Sequence, residues 1–217
     1  MLDLCVKFKP LKFQWSSTAR VHSDYETVKA MADGGARLFI VGFESGDAQI
    51  LKNIKKGATV EMGRAFMKNC RKVGIKVHGD FIIGLPGETK ETIQKTIDFA
   101  KELDCETIQV SLAHAMPGTE LHDTMAQQGF LKVEALADSS GHQLPHIEYA
   151  GLPREEMMGA VQRFYDEYYF RPRIVWRIVR ESLWDGNERR RLYEEAVEYL
   201  RVRSERWKYA RKRLPSA

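Results

Sequence analysis

Three apolar runs in this chain each end in glycine and polar residues, then pass directly into a helical pattern. The first is Phe39-Ile40-Val41-Gly42-Phe43-Glu44-Ser45-Gly46. The second is Val77-His78-Gly79-Asp80-Phe81-Ile82-Ile83-Gly84, running into Leu85-Pro86-Gly87-Glu88-Thr89. The third is Ile108 to Leu112, followed by Ala113-His114-Ala115-Met116-Pro117-Gly118-Thr119. Repeated strand-to-helix junctions of this kind build sites at the carboxyl ends of parallel strands. The pattern predicts a barrel wall facing a bound small molecule.

The helical segments support that architecture. Lys12 to Trp15 reads as a short strand, and Ser23 with Glu26 as a capping box opening a helix that carries Val28, Met31 and Ala32. Arg37 to Phe43 is nearly continuous in apolar character, as for a strand covered on both faces. Asp47 caps a short helix ending at Gly57, and Thr59 starts another with Met62, Ala65, Phe66, Asn69 and Val73 on one face, stopped by Gly74. After Thr89, Ile93, Ile97, Ala100 and Leu103 form one stripe. The order β-α-β-(α-α)-β-α-β-α implies a parallel sheet with helices packed outside. Four strands are too few for a closed barrel, so the expected fold is α/β, part of a larger barrel and hence a partial (β/α) TIM-like barrel, over 1–130. A connecting loop over 131–150 and a helical appendage over 151–217 complete the expected organisation. In the appendage, Met158, Val161, Phe164, Tyr165 and Tyr168 recur at helical spacing after Pro153. Arg171-Pro172 breaks that helix, and a further break falls near Asp185-Gly186-Asn187.

Charge separates the two parts. The net charge is +4, yet residues 151–217 hold 16 Lys/Arg against 11 Asp/Glu. A basic tail of this kind suits anionic lipid or nucleic acid, or is a solvated helix with a cationic end. No apolar run is long enough to cross a bilayer, and the start lacks the apolar core of a signal peptide. The expected location is cytoplasmic, peripheral to the inner membrane if the tail meets lipid. Cys5, Cys70 and Cys105 are scattered and odd in number, so neither a disulfide framework nor a close-spaced metal motif follows. Cys70 and Cys105 read as buried free thiols.

Among candidate site residues, Glu44 stands out. A carboxylate closing an apolar strand is costly unless it faces a cleft or a partner. In a pocket it accepts hydrogen bonds from ribose hydroxyls or an ammonium group. The alternative is a structural glutamate capping the next turn. Gly84-Leu85-Pro86-Gly87 permits close backbone approach. Arg20 meets an anionic group or forms a surface ion pair. His78, inside a strand, reads as a hydrogen-bonded or packed histidine, and His114 is equally compatible with packing or catalysis. His142 and His146 have no further ligand at metal spacing, so no metal site is assigned. Tyr165, Tyr168, Tyr169 and Phe170 read as helix packing.

Four ordered segments carry a family resemblance: Trp15-Ser16-Ser17-Thr18-Ala19-Arg20, Val41 to Gly46, Phe81 to Thr89, and Met116 to Thr119. Over about residues 10–130 the chain resembles radical S-adenosylmethionine enzymes, in particular the class with an N-terminal cobalamin-binding-type domain. The loop Gly141 to Tyr149 and the stretch Phe164 to Pro172 resemble the hopanoid-biosynthesis-associated branch. The resemblance implies S-adenosylmethionine and a [4Fe-4S] cluster as cofactors, and leaves cobalamin open. By carry-over, Glu44 and Ser45 would meet the ribose or methionine end of the cofactor, and Arg20 its carboxylate. Phe81, Ile82, Gly84, Leu112 and His114 would line the adenine. The family binds its cluster through C-x-x-x-C-x-x-C, which this sequence lacks. The expectation is therefore the C-terminal portion of such an enzyme, acting on a hopanoid or related lipid at a membrane surface and competent only with an N-terminal partner encoded upstream. Two alternatives are a non-catalytic remnant or interaction module, and a fragment of an RNA-modifying radical enzyme. No recognisable RNA-binding domain supports nucleic acid as a partner.

Overall fold

A computed structural model describes residues 2–132 and 146–184, with positions 194, 197, 201 and 204. The chain forms two compact units, 1–111 and 112–217. The first begins with α1 (Leu2–Phe8) and a short 3-10 turn (Lys9–Leu11), then β1 (Trp15–Thr18), α2 (Tyr25–Asp33), β2 (Ala36–Glu44), α3 (Ala48–Asn53) and α4 (Val60–Val73). It continues through β3 (Lys76–Ile83) and α5 (Lys90–Leu103) into β4 (Thr107–Leu112). The strands form one sheet in the order β1-β2-β3-β4. β1 and β2 pair in parallel, as do β2 and β3. Four parallel strands alternating with helices are the arrangement of a partial (β/α) barrel, as expected.

The sheet has two unlike faces. Phe39, Val41 and Phe43 of β2, with Val77, Phe81 and Ile83 of β3, are buried on the side packed by helices. Phe39 lies 6.1 Å from the ring of Phe66 on α4, and Phe43 lies 6.1 Å edge-on to Phe99 on α5. Residues between them point the other way and are only partly covered: Ile40 is exposed, and His78, Asp80 and Ile82 are half-buried. The expectation that β2 is covered on both faces is therefore corrected. Leu38 and Ile40 made the run look continuous, although they stand on the open face.

Other local readings shift similarly. The cap of α2 is Asp24, which accepts from Thr27 N at 2.7 Å, whereas Ser23 Oγ donates to Arg20 O at 3.4 Å. Asp24 stands directly before the first helical residue, so it takes the role expected of Ser23. The strand expected at Lys12 to Trp15 runs instead from Trp15 to Thr18. α3 ends at Asn53 rather than Gly57. α4 buries Val60, Gly63, Phe66, Met67 and Cys70, leaving Ala65 exposed, so its inner stripe is rotated from the expected one. α5 matches, with Ile93, Ile97, Ala100 and Leu103 all inside.

The second unit holds α6 (Glu120–Gln127), α7 (Arg154–Tyr169) and α8 (Pro172–Trp184). α7 buries Met157, Ala160, Val161, Phe164 and Tyr168 at helical spacing. No helix among the described residues is long and apolar enough to cross a membrane. The break expected near Asp185-Gly186-Asn187, His142, and most of the 131–150 loop lie outside the described residues, as does most of the basic tail.

Candidate functional site

The β2–α3 turn is where backbone and side chains depart most from regular structure. Glu44 has φ of 64°, a left-handed conformation that non-glycine residues seldom adopt. Ser45 N donates to Phe43 O at 2.8 Å, closing a three-residue turn around Glu44. The register against β3 slips at the same place, between Gly42 and Glu44. This geometry folds the Glu44 carboxylate back over the open face of the sheet. There its Oε1 pairs with Lys56 Nζ at 2.6 Å, with the Glu44 side chain 16% exposed. A Cβ at Gly42 would run into that same oxygen, so residue 42 must be glycine for the carboxylate to sit where it does.

Ser45 does a different job. It is fully buried, and its hydroxyl lies 3.1 Å from Thr96 Oγ1 on α5. Thr96 gives its only hydroxyl proton to Thr92 O at 3.0 Å, so Ser45 is the donor of the pair. Thr96 Oγ1 also receives Gly46 N at 3.0 Å, and Ser45 Oγ receives Asp47 N at 3.1 Å. Asp47 caps α3 through Gln49 N and Ile50 N, and pairs with Lys95 Nζ at 2.8 Å. That lysine, with the two backbone donors, holds the Asp47 carboxyl below its usual range. A Cβ on Gly46 would come within 2.6 Å of Lys95 O and Phe99 Cβ, so α5 lies directly on this turn. The turn that presents Glu44 is thus bolted to α5 from beneath.

The β3–α5 turn contains a second glutamate with an opposite role. Glu88 is buried, and its Oε2 accepts from Gly84 N and from Leu85 N. Its Oε1 is buried with no hydrogen-bond partner among the described residues. Burial pushes the carboxyl up to about 7, the two backbone donors oppose this, and Asp47 adds to it. Asn53 of α3 donates to Pro86 O at 2.9 Å, tying the two turns together. Neither Glu88 nor Lys56 was singled out from the sequence. The signals available were the glutamate directly before the Thr89 cap and a lysine shortly after the short helix that follows Glu44.

On the open face beside Glu44, Gly42 pairs with Asp80 and Ile40 with His78 across the sheet. His78 Nε2 lies 3.1 Å from Asp80 Oδ1, and Nδ1 lies 2.6 Å from Thr107 Oγ1 on β4. His78 is therefore a hydrogen-bonded strand histidine, as expected. Ile82 shares this face, whereas the Phe81 ring is buried against Phe43 at 5.8 Å on the helix side. Arg20 is exposed just beyond β1. Among the sequence-predicted residues of the first unit, the structure therefore brings Glu44, Ser45 and Gly84 to two joined turns at the carboxyl ends of β2 and β3.

In the second unit, Leu112 is buried and His114 is half-buried. Ala115 N donates to His146 Nε2 at 2.9 Å, so a neutral His146 carries its proton on Nδ1. The His114 and His146 rings lie 4.8 Å apart, and His114 Nε2 is buried without a hydrogen-bond partner among the described residues. Burial, with His146 second, holds the His114 imidazole below its ordinary value.

The cysteines do not fit an iron–sulfur cluster, which needs thiolates converging on one face. Cys5 is packed against Gly34, and Cys105 lies against the backbone at Gly79. Burial pushes the Cys70 thiol up to about 12. No group of three His, Cys, Asp or Glu able to hold a metal ion occurs among the described residues.

Comparisons with known proteins find relatives among methyltransferases. An uncharacterized methyltransferase of Pyrococcus horikoshii is 31% identical over 175 residues, which is 80% of this chain and 38% of that protein. The cytidylyl-2-hydroxyethylphosphonate methyltransferase of Streptomyces wedmorensis is 34% identical over 142 residues, 61% of this chain and 27% of that one. The chain thus spans well under half the length of these relatives. The fold matches the radical S-adenosylmethionine methyltransferase TsrM from Kitasatospora setae, solved with cobalamin and a [4Fe-4S] cluster bound. The TM-score is 0.62 at 19% identity, over 75% of this chain and 39% of that one. The Radical SAM superfamily profile matches residues 5–100, the span that holds both glutamate turns. Over those residues the chain is similar to the Radical SAM superfamily.

Proposed function

We propose that this chain binds S-adenosylmethionine at the β2–α3 and β3–α5 turns and serves methyl transfer within a larger radical enzyme. The observation that carries the reading is the Glu44–Lys56 pair, presented by a left-handed turn on the open sheet face. A carboxylate beside an ammonium matches an amino-acid zwitterion: Glu44 takes the α-ammonium or ribose hydroxyls, and Lys56, with Arg20, takes the α-carboxylate. Ser45 serves as a positioning residue, because its hydroxyl is given to Thr96. Gly84 and Ile82 offer backbone and apolar edge to the adenine, and Phe81 supports them from behind. S-adenosylmethionine bound there supplies an activated methyl group. No radical step is drawn through the three cysteines, which do not fit a cluster; its ligands come from elsewhere in the reading. The methyltransferase relatives support group transfer. The acceptor we assign is a hopanoid or related lipid, which rests on the resemblance of the 141–149 loop and the Phe164 to Pro172 stretch.

Titration calorimetry with S-adenosylmethionine tests the cofactor site without an activity assay. Glu44→Gln should weaken binding at least about tenfold, and Lys56→Met about fivefold. Binding equal to wild type in both variants would remove the cofactor from this turn.

A further inference from the structure

We propose that α8 seats the chain on the surface of an anionic lipid bilayer through an apolar arc that runs from Val175 through Val179 to Trp176. The rotation of the helix is set from within its own unit. Arg171 stacks over the buried Tyr168 ring at 4.4 Å and donates to Tyr168 O at 2.9 Å, fixing the corner between α7 and α8. Ile174 is then fully buried on the inner side. At 100° per residue, Val175, Trp176 and Val179 share an arc turned away from Ile174. They are 44%, 64% and 41% exposed, and Phe170 at the corner is 55% exposed. So much large apolar surface on about two turns is unusual for a helix facing water alone.

Charge indicates what covers it. Arg173, Arg177 and Arg180 fall on the arc adjoining Trp176, whereas the one acidic residue in the α8 sequence is Glu181. An apolar arc flanked by arginines is the pattern of a helix lying in the plane of a membrane interface. Its tryptophan sits at headgroup depth, and its guanidinium groups reach anionic phosphates. No helix among the described residues is long and apolar enough to cross a bilayer, and the three arginines of α8 suit that in-plane position. This placement would bring the chain to where a lipid acceptor resides. It is argued from α8 and its corner alone, so it stands or falls separately from cofactor binding.

The test is flotation of the full chain with phosphatidylcholine vesicles, and with vesicles of about three parts phosphatidylcholine to one part phosphatidylglycerol. The chain should float with the anionic vesicles and remain behind with neutral ones. Trp176→Ser should lower partitioning about tenfold or more, and each of Arg173→Gln, Arg177→Gln and Arg180→Gln about fivefold. These side chains are exposed or at the helix surface, and circular dichroism confirms that the variants stay folded. Failure to float with anionic vesicles overturns the proposal. So does flotation unchanged by Trp176→Ser and Val175→Ser, which would move the contact to another basic segment. Retention of RNA at matched salt, lost with the arginines yet indifferent to Trp176, would assign the surface to a nucleic acid instead.

Discussion

Glu44 and Glu88 stand in successive βα turns of one sheet, yet the fold uses them in opposite ways. Glu44 keeps its carboxylate near solvent against Lys56, at a backbone conformation that costs free energy. Glu88 takes its carboxylate into the interior and spends it on the Gly84 and Leu85 amides. The first arrangement sacrifices local stability to aim a charge. The second uses a buried acid as a brace, with one oxygen left without a hydrogen-bond partner among the described residues. In adjoining turns, one glutamate is held by a strained backbone and the other by burial.

The comparison breaks most visibly at Glu88. Glu88→Ala should destabilise the chain by about 3 kcal/mol, since two buried amides lose their acceptor and a cavity remains. Denaturant unfolding measures this, and a loss under about 1 kcal/mol would mean that the brace is unnecessary. The pH dependence sharpens the point. With the folded carboxyl raised from 4.5 to about 7, the native state holds the proton more tightly than the unfolded chain. The raised value therefore costs nothing below about pH 4.5. It lowers stability progressively from there to about pH 7, by a total on the order of 3 kcal/mol. Glu88→Gln should abolish that portion of the slope. A wild-type slope matching that of Glu88→Gln across this window would show that the carboxyl titrates normally.

Thr96 connects the two roles, because it anchors the turn that aims Glu44. Thr96→Val keeps the shape but leaves Gly46 N and the Ser45 hydroxyl without their acceptor, at a cost of about 2 kcal/mol. S-adenosylmethionine affinity should fall with it although residue 96 lies beneath the turn. Thr96→Ser should restore both, which separates positioning from packing. Unchanged affinity in Thr96→Val would show that Glu44 holds its place without the anchor.

How far the sequence alone foretells this follows from what each residue contacts. The strand–helix alternation was legible because apolar periodicity is a local property, and Ile93, Ile97, Ala100 and Leu103 of α5 sit as their spacing implies. Glu44 was legible because a carboxylate closing an apolar strand is anomalous in any context. The two-faced character of β2 was not, since Leu38 and Ile40 mask an alternation that only neighbouring strands reveal. Lys56 was hidden because a long-range turn, not spacing, brings it to Glu44. Ser45 illustrates the opposite limit: its motif suggests a ligand, while its hydroxyl is committed to Thr96, 51 residues away in sequence.

The smallest effect isolates strain from charge at Glu44. Both Glu44→Ala and Glu44→Gly remove the carboxylate and the pairing with Lys56, so each should weaken S-adenosylmethionine binding to a similar degree. They differ only in the backbone. Alanine must still adopt φ of 64°, whereas glycine does so without a clash between Cβ and the main chain. Glu44→Gly should therefore be the more stable of the two by about 1 kcal/mol, after glycine's greater freedom in the unfolded chain is set against the relief. That order is the reverse of the one expected at an ordinary strand position, where glycine is the weaker residue. If alanine proves equal or better, the left-handed turn is not a fixed feature of the folded chain. The contrast between an aimed and a braced glutamate would then rest on burial alone.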